Sequence, residues 1–304
     1  MPRPLKVGVQ LPEVEYQVRW AELRDMAQAA EGIGLDSVWV GDHLLYRWPG
    51  GEVRGPWEAW TTLAALAAVT ERVELGPLVA ATSFHNPAMI AKQAATLDEV
   101  SGGRLILGLG AGWNQTEFDA YGFPFDHRVS RFEEAFTIIR TLLREGRCDF
   151  DGRYYQIRDC ELVPRGPRPA GPPLMVGSEG ERMLAITLPH VQAWNAWFEW
   201  FDNSVERYRA LRGRIDAACR AAGRDPAQVE RTVALFVAMP GGRGRHGGDP
   251  SAPQTPPISG EPEHLALSLR AFANEGVAHV QLVLDPITPD SVAALAPALA
   301  LLDA

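Results

Sequence analysis

Features of membrane, secreted and nucleic-acid-binding proteins are scarce in this sequence. No stretch approaches the ~18 consecutive apolar residues of a membrane span, and the N-terminal residues lack the apolar segment of a signal peptide. The formal net charge is −9 and there is no basic stripe, which argues against binding to nucleic acid. We therefore expect a cytoplasmic protein.

Cysteine is also rare. Cys148, Cys160 and Cys219 show no CxxC spacing, so we predict reduced thiols and no metal site. A disulfide between Cys148 and Cys160, which would be neighbours on a hairpin, is the less favoured alternative. The chain has no HExxH sequence, no Ser-His-Asp elbow and no clustered pair of carboxylates, which argues against a metallohydrolase or a serine hydrolase.

Alternation of short apolar segments with segments of helical spacing is the main positive signal. The short connections between them are typical of right-handed βαβ units and a parallel sheet. The predicted strands are residues 6–11, 35–40, 73–79, 104–110, 174–177, 190–195, 231–238 and 278–284. The predicted helices are residues 17–33, 58–70, 87–100, 130–145, 181–188, 204–222, 261–274 and 290–302.

Eight strands, each followed by a helix, predict an α/β fold of the (β/α)8 TIM barrel type with insertions, as one domain over residues 1–304. An open doubly wound sheet is the alternative. Residues 148–164 alternate with period two around Asp151-Gly152, which indicates a β-hairpin within an insertion at 148–172. A second insertion at 240–260 is rich in glycine and proline, as in a mobile surface loop.

Two of the predicted strand ends are rich in glycine, and in a barrel the carboxyl ends of the strands carry the function. Residues 108–112 read GLGAG and residues 177–180 read GSEG, so bare N–H groups there could hold a phosphate. Residues 108–113 do not form a dinucleotide-binding GxGxxG motif, because its third glycine would fall on Trp113. For one such turn alone packing is the plainer explanation, but two turns at one barrel face favour a ligand.

His43 follows the second predicted strand, directly after Asp42. A histidine in the middle of an apolar face is usually a hydrogen-bonded core residue. At a strand end in a barrel it is better placed to donate a proton or to contact a cofactor. Asp42 is then either a loop residue or the group that orients His43.

Tryptophans concentrate near the same strand ends. They are either core residues or the lining of a flat cleft that suits a planar cofactor and an apolar substrate. We predict a substrate pocket formed by Trp48, Trp57, Trp113, Trp194 and Trp197.

Several of these segments together resemble a known family. They are DSVWVGDHLL (36–45), the block from VELGPLV to FDAYG (73–122), RFEEAFTIIRTLL (131–143), FDGRYYQI (150–157), PPLMVGSEGER (172–182) and AWN (193–195). The chain resembles the bacterial luciferase-like monooxygenase superfamily, in particular its oxidoreductases that use the deazaflavin coenzyme F420. This resemblance implies a (β/α)8 barrel, a homodimer, and FMN or F420 with its ring in the barrel mouth.

The resemblance also assigns roles by position. It places His43 near the reactive edge of the ring as the catalytic residue, with Asp42 beside it. The end of the third strand would form a bulge under the ring, often with a non-prolyl cis peptide, through Leu78, Val79, Ala80 and Thr82. The cofactor tail would contact the two glycine-rich turns through Gly110, Ala111, Asn114, Gly177, Ser178, Glu179 and Gly180.

The cofactor decides the chemistry that the resemblance implies. F420 passes hydride and does not activate oxygen, so we predict an F420-dependent oxidoreductase acting on a small organic substrate. An FMN-dependent monooxygenase that uses reduced flavin and oxygen is the alternative. A non-catalytic binding relative is the second alternative, because the sugar-phosphate dehydrogenases of this group carry a glutamate acid where this chain has Ala111.

Overall fold

The computed structural model describes residues 3–48, 50–243 and 255–304. Its strands are β1 Lys6–Gln10, β2 Ser37–Val40, β3 Tyr46–Arg47, β4 Val53–Arg54, β5 Glu74–Pro77, β6 Ala80–Ala81, β7 Leu107–Gly110, β8 Arg147–Asp151, β9 Gln156–Glu161, β10 Leu174–Gly177, β11 Ala193–Ala196, β12 Glu230–Ala238, β13 Ile258–Ser259 and β14 Val277–Asp285. Its α-helices are α1 Trp20–Gly32, α2 Ala59–Val69, α3 Pro87–Val100, α4 Gln115–Tyr121, α5 Arg128–Glu145, α6 Glu181–Thr187, α7 Val205–Ala221, α8 Pro262–Asn274, α9 Pro289–Ala293 and α10 Ala296–Asp303.

The large sheet is parallel and closes on itself. Neighbouring strands follow the order β5-β2-β1-β14-β12-β11-β10-β7-β6, with β13 attached to β12. The two ends of this path, β5 and β6, are consecutive segments of one strand that Leu78 and Val79 interrupt. Leu75 of β5 also bridges to Leu105, just before β7. Eight strand positions therefore close into a barrel, which confirms the predicted fold.

Burial follows from this closure. Every residue of β2, β7 and β11 is buried, because one face of each strand lines the barrel interior and the other packs against helices. On α5 the predicted apolar stripe is buried at Phe132, Phe136, Ile139 and Leu143. Helix α3 begins as expected, with the Asn86 side chain accepting from the N–H of Ala88 and Pro87 in the first turn.

A buried polar network ties strands together near the amino-terminal end of the barrel. The Ser37 hydroxyl lies 2.7 Å from Nε2 of His279 and accepts a 2.7 Å hydrogen bond from the indole of Trp39. Burial, with a smaller contribution from Lys6, lowers the pKa of His279 to about 3. This histidine is therefore neutral and serves the fold.

The predicted hairpin is present as β8 and β9, and Cys148 lies directly opposite Cys160 on it. Both thiols are free. The described part of the second insertion includes β13, where the sequence indicated only a loop, whereas residues 244–254 of that insertion lie outside the described residues. None of the helices described is long and apolar enough to cross a membrane.

Two elements near the barrel mouth were not predicted. Strands β3 and β4 form a two-stranded antiparallel ribbon after His43, and α4 follows the glycine-rich turn after β7. The ribbon is anchored by Arg54, whose guanidinium donates to the carbonyls of Val14 and Glu15. These short elements place side chains beside His43.

Candidate active site

His43 lies between two carboxylates at the mouth of the barrel. It follows the carboxyl end of β2, and its Nδ1 is 2.9 Å from Oε1 of Glu117 on α4. Its Nε2 is 3.6 Å from Oε1 of Glu13, in the loop after β1. Glu117 also accepts a hydrogen bond of 3.2 Å from the backbone N–H of Leu44. The imidazole is thus oriented by Glu117 through Nδ1, while Nε2 faces Glu13.

These carboxylates set the protonation of His43. Burial lowers the pKa of the imidazole, but the charges of Glu13 and Glu117, the hydrogen bond to Glu117 and a smaller contribution from Asp42 outweigh it. The pKa of His43 is therefore raised above its ordinary value of 6.5. A raised pKa favours the protonated imidazole, which can donate a proton to a bound group and take one back.

Gly41 makes room for this arrangement. A Cβ at that position would lie 2.0 Å from Oε1 of Glu13, a distance that no pair of unbonded atoms tolerates. The side chain of Glu13 is 3% exposed and reaches the histidine across the bare backbone of Gly41. In the GDH sequence at 41–43, the glycine therefore allows Glu13 to approach the histidine.

Asp42 connects the end of β2 to the third strand. Its Oδ2 accepts a hydrogen bond of 2.8 Å from the backbone N–H of Ala81 and lies 3.5 Å from Nε2 of His85. Asp42 is thus a buried support for the segment after Val79, and it reaches His43 through charge and not through a hydrogen bond. The sequence left open whether Asp42 orients His43, and in the structure Glu117 makes the hydrogen bond that does so.

The third strand is interrupted between β5 and β6, where the resemblance implies a bulge. The Leu78–Val79 peptide is cis. The Val79 side chain occupies the space beside the glycines of the neighbouring strands, since a Cβ on Gly110 would lie 2.8 Å from it and one on Gly177 would lie 3.2 Å away. The glycines at these two positions therefore accommodate Val79, a packing role in addition to any ligand. Ala80 lies on β6 and is fully buried.

The two turns are held by specific hydrogen bonds. Arg128 donates to the carbonyl of Gly112 at 2.7 Å, and the Asn114 side chain donates to the carbonyl of Leu45 at 3.2 Å. Ala111 is half-buried between them, and its carbonyl accepts from the hydroxyl of Ser83.

In the other turn the Ser178 carbonyl accepts from the indole of Trp194 at 2.7 Å, and its hydroxyl accepts from the N–H of Gly180. Glu179 faces Arg214 at 3.5 Å. The carboxylate of Glu179 therefore contributes to an exposed ion pair, and what this turn offers to a ligand is its backbone.

The predicted tryptophans do not form one cleft. Trp113 stands edge-on to His43 with ring centroids 5.6 Å apart, and Trp48 stacks on Tyr46. The indole of Trp57 donates to the carbonyl of Val18, and Trp197 packs against Phe198.

Trp194 is fully buried, so its expected place in an open pocket is wrong in this structure. The reason is the period of two along β11. Its neighbour Asn195 points into the barrel, where it bonds Thr232 and Gln281, so Trp194 points outward into the helix layer.

Three residues beside His43 were missed from the sequence. Tyr46 on β3 has its ring 4.8 Å from that of His43, and Glu13 and Glu117 supply the carboxylates. Glu13 and Glu117 are far apart in the sequence and meet only through folding, so they do not form a pair of carboxylates that is recognisable along the chain. The position of Glu117, three residues after Asn114 at a helix start, is a signal of a short helix that was available.

A sequence model of the luciferase-like monooxygenase family matches residues 6–240. The F420-dependent glucose-6-phosphate dehydrogenase of Amycolatopsis mediterranei is 37% identical over 182 residues, which cover 58% of this chain and 52% of that protein. The pyrimidine monooxygenase RutA of Cronobacter sakazakii is 33% identical over 173 residues, 55% of this chain and 50% of that protein. The matches thus span about half the length of these curated relatives.

A likeness of fold extends over almost the whole chain. The structure of an F420-dependent secondary alcohol dehydrogenase in complex with an F420-acetone adduct superimposes with a TM-score of 0.81, over 98% of this chain and 99% of the other. The sequence identity is 18%, so this likeness concerns the fold alone.

Proposed function

Because this chain belongs to the luciferase-like monooxygenase family, we propose that it is an F420-dependent oxidoreductase that transfers hydride between the cofactor and a small organic substrate. The observation that carries the proposal is His43, held between Glu13 and Glu117 at the carboxyl end of the barrel. The similarity to an F420-dependent dehydrogenase supports the choice of cofactor.

The residues at the mouth fit such a cofactor. The hydroxyl of Thr82 and the side-chain amide oxygen Oε1 of Gln10 are buried at strand ends without a hydrogen-bond partner among the described residues, which leaves polar atoms for a ligand. Leu78 and Val79 are half-buried there and would lie under the ring, with Asp42 and His43 beside them. The residues that would hold the tail are Gly110, Ala111, Asn114, Gly177, Ser178, Glu179 and Gly180.

When bound, F420 supplies a carbon centre that gives or takes hydride. The oxygen of an alcohol or carbonyl substrate then loses or gains a proton, and His43 is the group that exchanges it, at Nε2. Glu117 keeps Nδ1 protonated and holds the ring in place. Glu13 lies beside Nε2 and stabilises the imidazolium form, which suits the role of a general acid near neutral pH.

An FMN-dependent monooxygenase is the alternative, supported by the similarity to RutA. A non-catalytic binding protein is a weaker second alternative. Ala111 removes one acid that the sugar-phosphate dehydrogenases use, but Glu117, from the same segment, contacts His43. A homodimer and a cytoplasmic location also belong to the proposal.

Equilibrium titration with F420 and with FMN tests the cofactor. We expect saturable quenching of the intrinsic tryptophan fluorescence by F420, with FMN binding at least about tenfold more weakly. Tight binding of FMN alone, with oxygen consumed when reduced FMN is supplied, would overturn the proposal. Binding of F420 without reduction by any alcohol in a broad panel would instead favour the non-catalytic alternative.

A further inference from the structure

The charges of three carboxylates act on the imidazole ring of His43. Glu13 is 3.6 Å from Nε2 and Glu117 is 2.9 Å from Nδ1, and Asp42 contributes to the charge that acts on the ring. All three side chains are at most 3% exposed, so water screens them poorly. An anionic group brought to His43 would approach these charges at short range.

Arg128 and Arg54, on segments around His43, are held by other groups of the protein, whereas Arg47, which follows Tyr46 on β3, is exposed. Arg128 donates to the carbonyl of Gly112 and its guanidinium lies over the ring of Phe125. Arg54 pairs with Glu52 and binds backbone carbonyls. The two lysines of the chain are Lys6, which pairs with Glu74 at the opposite end of the barrel, and Lys92, which donates to the carbonyl of Val163.

An aromatic wall stands on the solvent side of His43. The rings of Tyr46 and Trp113 lie 6.2 Å apart, and each contacts the ring of His43. Trp113 is 63% exposed, although it is a large apolar side chain beside a reactive group. Such a surface gains most from an apolar molecule that covers it.

We infer that the substrate is an uncharged alcohol or carbonyl compound with an apolar body, and that the site rejects phosphorylated and carboxylated molecules. The apolar body lies against Trp113 and Tyr46, and the reacting oxygen faces Nε2 of His43. The inference rests on the proposed function and narrows it. It separates this chain from the glucose-6-phosphate dehydrogenase to which it is similar.

Matched pairs of neutral and phosphorylated compounds test the inference. Cyclohexanol and cyclohexyl phosphate, and glucose and glucose 6-phosphate, are compared by ligand-observed NMR with F420-loaded protein and by F420 reduction. We expect cyclohexanol to bind at least about tenfold more tightly than cyclohexyl phosphate. Equal or tighter binding of cyclohexyl phosphate than of cyclohexanol, or tighter binding of glucose 6-phosphate than of glucose, overturns the inference. Because F420 binding is measured first, its absence would contradict the proposed function and not the choice of substrate class.

Two variants separate the contribution of charge from that of the aromatic wall. Glu13→Gln removes one charge at nearly constant shape, and we expect the preference for cyclohexanol over its phosphate to shrink at least about threefold. Trp113→Ala should weaken cyclohexanol binding by roughly fivefold to tenfold and leave the preference unchanged. Trp20→Ala, at another exposed tryptophan, is the control and should change neither quantity. A preference unaltered by Glu13→Gln would show that carboxylate charge does not select the substrate.

Discussion

Two histidines at opposite ends of the same barrel have pKa values shifted in opposite directions. His279, near the amino-terminal end, has a pKa lowered to about 3, because it is buried and its nearest polar partner is the neutral hydroxyl of Ser37. His43, at the mouth, is also mostly buried, but its pKa is raised by Glu13 and Glu117. Burial alone therefore does not distinguish the reactive histidine from the structural one. The neighbouring carboxylates do.

Replacement of His43 should have the largest effect. For His43→Gln we expect a loss of turnover of about 10²- to 10⁴-fold, because the group that exchanges the proton is gone. The affinity for F420, measured by fluorescence titration, should change little. His264→Gln, at an exposed position on α8, serves as the control. Turnover of His43→Gln within threefold of wild type would remove this histidine from the mechanism.

Glu117→Gln should reduce the difference between the pKa values of His43 and His279. The charge-assisted hydrogen bond to Nδ1, worth about 1.5–3 kcal/mol, becomes a neutral one worth about 0.5–1.5 kcal/mol. We therefore expect the pKa of His43 to fall and that of His279 to stay where it is. Two-dimensional NMR of ¹³C-labelled histidine measures both. An unchanged titration of His43 would mean that Glu117 does not control its protonation.

Gly41→Ala should disturb the contact between His43 and Glu13, on the opposite side of the imidazole from Glu117. The added Cβ would lie 2.0 Å from the carboxylate of Glu13, so Glu13 must move away from His43, and overpacking of this kind costs about 1–3 kcal/mol of unfolding free energy. Gly32→Ala is the matched control, since a Cβ there meets no atom within 4 Å. Urea unfolding and the pKa of His43 are the two measurements, and we expect both to decrease only in Gly41→Ala. Equal values in the two variants would contradict the role assigned to Gly41.

Features that depend on local spacing could be predicted from the sequence, whereas contacts between distant segments could not. Hydrophobic periodicity predicted the eight units of the barrel and the position of His43 at a strand end, because both follow from local spacing. The positions of Glu13 and Glu117 in the site were not predicted, since their approach to His43 depends on the paths of two loops. One of these loops turns at Gly112 with a φ of 76°. Trp194 was misassigned for a related reason: the composition of a strand end does not say which face of the strand a side chain occupies.

The dependence of stability on pH should have opposite signs for the two histidines. The folded pKa of His279 lies below the unfolded value of 6.5, so the unfolded chain binds the extra proton. This histidine therefore lowers the unfolding free energy as pH falls from 6.5 toward 3, by at most about 1.4 kcal/mol per pH unit. His43 has a raised pKa, so its contribution is complete below pH 6.5 and is lost as pH rises through its folded pKa.

Urea unfolding from pH 5 to pH 8 of wild type, His43→Gln and His279→Gln measures both contributions. We expect His279→Gln to flatten the acidic side and His43→Gln the alkaline side. If His279→Gln does not fold, the NMR titration of the wild type decides, and protonation of His279 near pH 6.5 would contradict its assignment as the neutral, structural histidine.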